Sequence, residues 1–87
     1  MERVLLAAML TYFISYEDDG VVEYTYYAEG NPEWFGKVSV DKLTCDVVRR
    51  EPADMDQHEF YFLHILRHAI RSAERGEFEN NGMIAWY

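Results

Sequence analysis

A second cysteine is missing: Cys45 stands alone, so no disulfide can close within the chain. A lone thiol fits a reducing compartment, and the expectation is a small bacterial protein of the cytosol. Basic residues are also scarce, with eight Lys and Arg against sixteen Asp and Glu and a net charge of −8. A field of that sign repels phosphate, so no nucleic acid and no anionic membrane is expected as a partner. Long apolar runs are absent too. The most apolar stretch, Val4 to Ile14, is too short to span a bilayer. Glu2 offsets Arg3, and no Ala-x-Ala site comes before Tyr12 and Phe13, so this stretch reads as core and not as a signal peptide.

Motifs for chemistry are equally thin. The five glycines form neither G-x-G-x-x-G nor a P-loop. Ser15, Ser39 and Ser72 lie outside any G-x-S-x-G context, and Cys45 has no His or Asn beside it. No enzyme and no cofactor are expected. His64 and His68, four apart, could hold two corners of a zinc site, but no third ligand lies one turn away. They read as solvated helix residues, and a metal- or small-ligand-binding role for that face is the alternative. His58, nearer the apolar side, is expected to be partly buried.

What the chain has is rings. Apolar residues make up 49% and aromatics 16%, including seven Tyr and five Phe, which suffices for a core and is too rich for disorder. At 87 residues the expectation is one domain, 1–87, with one core.

The strongest pattern is Asp56 to Gly76. Phe62, Ile65, Leu66, Ala69 and Ala73 recur at three- and four-residue intervals, which marks one face of a helix. Asp56 and Glu59 have the spacing of an N-cap and its capping box, and Gly76 that of a C-terminal cap. Leu66 is expected near the centre of the buried stripe.

Ahead of the helix the period is two. Thr11–Tyr16 and Val21–Tyr27 predict a hairpin, with Gly20 supplying positive φ in its turn. Tyr12, Ile14 and Tyr16 would share one face of the first strand, and Val22, Tyr24 and Tyr26 one face of the second. Phe35–Asp41 alternates likewise and Asp46–Arg50 returns as a further strand. Between them Val40-Asp-Lys-Leu-Thr-Cys-Asp-Val47 resembles the hairpin common in PepSY-like and other small secreted bacterial domains. There the pattern runs V-D-x-x-T-G-x-V. Cys45 stands at the Gly position, where the turn would need positive φ, so the turn implies a hairpin and not a family. Residues 2–10 read equally as helix or strand, and Gly82–Tyr87 as a tail docked on the sheet or helix, an edge strand being one form of it. The class is therefore α+β: an antiparallel meander with one long helix packed on one face.

Two surfaces invite partners. Arg67, Arg71 and Arg75 follow at i, i+4 on the helix, flanked by His64 and His68 with Phe60 one turn earlier, although like charges at that spacing repel. Arginine suits carboxylates, so this face would dock an acidic partner. Tyr24, Tyr26 and Tyr27, with Tyr12 and Tyr16, supply more rings than one helix can cover, and a homodimer pairing that face, through Tyr24 or Tyr26, is expected. The functional expectation is a non-catalytic protein-binding module. By analogy, its net charge would also suit an antitoxin-like or immunity-like protein that masks a basic enzyme.

Overall fold

A computed structural model describes residues 8–86. Five strands form one antiparallel sheet in the order β4-β3-β2-β1-β5. They are β1 (Ala8–Glu17), β2 (Val21–Ala28), β3 (Phe35–Asp41), β4 (Val47–Glu51) and β5 (Asn81–Trp86). The helix α1 (Phe60–Arg75) lies between β4 and β5 in the chain, so the backbone passes from one sheet edge to the other across one face. The class is α+β, as the pattern implied. Of the ambiguous segment, residues 8–10 belong to β1, and residues 2–7 lie outside the described residues. The tail forms β5 beside β1, from Ala8↔Trp86 to Phe13↔Asn81. No helix among the described residues is long and apolar enough to cross a membrane.

Alternation decides what meets the helix. Tyr12, Val22, Tyr24, Tyr26, Val38 and Val40 turn to one face and join Phe62, Ile65, Ala69 and Ala73 in the core. This corrects the expected exposure of Tyr24 and Tyr26, both of which are fully buried beneath α1. Burial is tolerable because each hydroxyl has a partner. Tyr24 donates to the Glu79 carbonyl at 3.3 Å. Tyr26 donates to Asp56 Oδ2 at 3.2 Å and accepts the Ala53 N–H at 2.8 Å.

The helix begins three residues later than the capping box implied. Glu59 adopts φ 58° with no side-chain cap, because its carboxylate pairs with Arg50 at 2.6 Å. Asp56 caps from outside the helix instead. Its Oδ1 accepts Tyr61 N–H at 3.2 Å and its Oδ2 accepts Phe62 N–H at 2.7 Å. At the other end Gly76, at φ 72°, lets the Glu77 N–H reach the Ser72 carbonyl at 3.1 Å, as a left-handed cap should. Leu66 is half-buried at the margin, and Ile65 holds the place expected for it. His58 is exposed, against the ring of Phe60 at 5.5 Å.

The two hairpin turns differ from each other. Gly20 has no positive φ. The Asp18 carboxylate shapes that turn by accepting the N–H groups of Gly20 and Val21, both at 2.8 Å. Its pKa is held down by the Tyr16 hydroxyl first and then by those two N–H bonds. A bulge between Ile14 and Tyr16 swings Tyr16 out of the shared face, leaving it 53% exposed. Cys45 does take positive φ, at 64°, and Asp41 organises its turn by accepting from Leu43 and Thr44.

Candidate functional site

Beyond the core-facing stripe, α1 turns a second flank toward β5. Imidazole is flat and amphipathic, and both histidines use that property. His64 stacks on Trp86 with ring centroids 3.7 Å apart and planes 18° from parallel. One turn on, His68 packs against Tyr12 at 4.6 Å and Tyr24 at 5.7 Å. Tyr12 reaches this position by passing over Gly82, where any Cβ would stand 2.5 Å from the phenol oxygen. Its hydroxyl donates to Glu79 Oε1 at 3.1 Å.

These contacts frame a groove of about 210 Å³ lined by His64, Arg67, His68, Arg71, Arg75 and Ile84. Five of the predicted site residues are thus brought together. His68 Nε2 is buried without a hydrogen-bond partner, and Glu79 Oε1 stands 3.9 Å away, beyond bonding distance. Arg75 approaches Glu77 only at 4.0 Å. Arg67 and Arg71 form no ion pair among the described residues.

The electrostatics follow from burial. Desolvation lowers the pKa of His64, and the neighbouring Arg67 lowers it further. Desolvation likewise lowers that of His68, with Glu79 opposing and Arg75 assisting. The Tyr12 phenol is pushed up to about 12, chiefly by burial and then by its bond to Glu79. At neutral pH the groove therefore presents guanidinium groups and neutral imidazoles. Such a site can take carboxylates. Among the described residues no group of three His, Cys, Asp or Glu side chains is placed to hold a metal ion.

The other predicted residues lie elsewhere. Phe60 is 64% exposed at the start of α1, one turn before His64 and outside the groove lining. Tyr24 and Tyr26 are in the core. Sequence reasoning missed Trp86, Ile84, Tyr12 and Glu79, and only the apolar run at Gly82–Tyr87 hinted that α1 would have a neighbour there.

On the opposite sheet face no described element packs, and neither Tyr24 nor Tyr26 is among the rings there. Phe13 and Tyr27 pair at 5.8 Å, and Phe35 and Met83 are 53% and 62% exposed. Beside them Glu23 accepts from Ser15 at 2.9 Å and pairs with Arg49 at 3.0 Å. Another hollow, about 410 Å³, lies where β3 begins and β4 ends, between Trp34, Pro52 and Met55. It contains no sequence-predicted site residue.

No protein-family model, no curated protein and no solved structure matches this chain. The site is therefore interpreted from its own geometry.

Proposed function

We propose that this chain is a non-catalytic protein-binding module whose contact site is the α1–β5 groove and whose partner presents acidic side chains. One observation carries this reading. In a chain with sixteen carboxylates and net charge −8, Arg67 and Arg71 line a groove without an ion pair among the described residues. Guanidinium groups recognise carboxylates through a planar fork of donors, and exposed ones left unpaired in an acidic chain are the natural complement of an acidic segment. A masking role toward a basic enzyme would have to use the acidic remainder of the surface. Cys45, a free thiol, supports placement in the cytosol.

Binding of a fluorescein-labelled oligoglutamate peptide, followed by anisotropy at about 0.1 M salt, tests the reading. Wild type should bind, and Arg71→Glu should weaken binding at least tenfold. Absence of binding, or indifference to Arg71→Glu, would overturn it.

A homodimer is the second reading, and the sheet face that no described element covers favours it. Among the described residues one helix covers one face only, and on the other Phe35 and Met83 are exposed while Phe13 and Tyr27 are partly so. Sedimentation should show a dimer that persists from 0.1 to 1 M salt and that Phe35→Glu dissociates. A wild-type monomer at high micromolar concentration would end this reading. The metal- or small-ligand alternative has less support, since both imidazoles are engaged with aromatic rings.

A further inference from the structure

The two edges of the sheet differ in chemistry. At one edge β4 reads Val-Val-Arg-Arg-Glu, and its charges blunt pairing with another strand. At the other β5 reads Asn-Gly-Met-Ile-Ala-Trp, with neither a charge nor a proline, and no described residue pairs with its outer side. Ile14 N–H donates to the Asn80 carbonyl at 2.8 Å, which sets the alternation of the β1–β5 ladder. Gly82, Ile84 and Trp86 therefore turn their backbone groups toward β1, while Asn81, Met83 and Ala85 turn theirs outward. The uncharged edge is the one beside the arginine row.

We infer that the partner's acidic segment enters as an added β-strand on the outer edge of β5, with acidic side chains at alternate positions turned toward α1. This rests on the acidic-partner reading above and specifies its mode. The spacings agree. Alternate residues of a strand lie about 6.6–6.8 Å apart on one face, and residues four apart on a helix rise by about 6 Å. A run of acid-x-acid-x-acid thus keeps step with Arg67, Arg71 and Arg75. Direction agrees as well, because His64 meets Trp86 at the end of β5 whereas His68 meets Tyr12, the partner of Gly82 near its start. The arginine row accordingly runs antiparallel along the strand.

Magnitudes require the backbone to contribute. Exposed ion pairs give about 0–1 kcal/mol each, so three arginines alone hold a partner weakly. Main-chain hydrogen bonds along the edge supply affinity, and the arginines supply selectivity. The same charges select against a second copy at this edge. Pairing β5 with its symmetry mate would bring two arginine rows together, and like charges repel.

Three synthetic heptapeptides of equal composition test this by anisotropy and by amide NMR of the full chain. The first has glutamate at alternate positions among threonine and valine, the second has its glutamates contiguous, and the third is the alternating peptide N-methylated on its edge-facing amides. The alternating peptide should bind at least tenfold more tightly than the other two and shift the Met83 and Ala85 amides. Met83→Pro, with folding checked by circular dichroism, should lose this preference because the outward N–H is gone. Equal binding by all three peptides would overturn strand addition while leaving the acidic-partner reading standing. No binding by any of them would overturn both.

Discussion

Asp56 Oδ2 receives two hydrogen bonds at once, from the Tyr26 hydroxyl at 3.2 Å and from the Phe62 N–H at 2.7 Å. The centre of the sheet and the first turn of the helix are thereby joined through one carboxylate oxygen. Both residues are buried, so the bond forms where an unmet polar group costs most. Tyr26→Phe removes the hydroxyl and also strands the Ala53 N–H that it satisfies. The substitution should cost about 1–3 kcal/mol in urea unfolding. A neutral result would mean that water replaces the hydroxyl.

Ile65 and Leu66 separate the core from its margin. Ile65 is fully buried and Leu66 only partly so. Ile65→Ala should cost about 2–4 kcal/mol through lost burial and a cavity. Leu66→Ala should cost about half as much or less, because solvent already reaches its site. Equal losses in chemical denaturation would mean that the helix is rotated about its axis.

Cys45 holds a left-handed backbone that only glycine adopts without strain. Cys45→Gly should raise stability by up to about 1 kcal/mol, with the midpoint of thermal or urea unfolding as the measure. A clear loss would show that the thiol's packing against the core outweighs the backbone term.

Tyr24→Glu places a charge where nothing can solvate it, since the ring is fully buried beneath α1. It should unfold the chain outright instead of producing folded monomers. A folded, soluble Tyr24→Glu variant by circular dichroism would contradict the assignment of sheet faces.

His68 carries the pH dependence. Burial lowers its folded-state pKa below the ordinary value of 6.5, while the unfolded chain retains that value. The unfolded state therefore binds more protons in the intervening range, and stability rises with pH there. The contribution is complete above about pH 6.5 and falls away as pH drops toward the folded-state pKa. His64, also lowered, adds to it in the same sense. Melting temperature should decline on acidification from pH 7 to pH 5, and His68→Phe should flatten the slope. An unchanged slope would assign the effect to other groups.

Local periodicity made much of the fold legible. Phe35–Asp41 has the bounds that alternation gave it, Gly76 closes the helix, and Cys45 bends where the turn pattern needs positive φ. What escaped depended on partners far along the chain. Tyr24 and Tyr26 looked surplus because their hydroxyl partners, at Glu79 and at Ala53 and Asp56, are invisible to alternation. Glu59 fits a capping box locally, yet Arg50 nine residues back draws its carboxylate away. The arginine row was visible on the helix wheel. Its opposing wall was not, since only the β1–β5 pairing brings Trp86 and Ile84 beside it.

That pairing has a kinetic side. It joins the first described strand to the last, so β5 closes the largest loop in the fold and should dock after the β1–β4 meander has formed. A nascent chain that has emerged only through α1 has its arginines but no wall facing them. The groove then arises at a late step of folding, and its opening is set by the fraying of one six-residue strand rather than by the stability of the whole sheet.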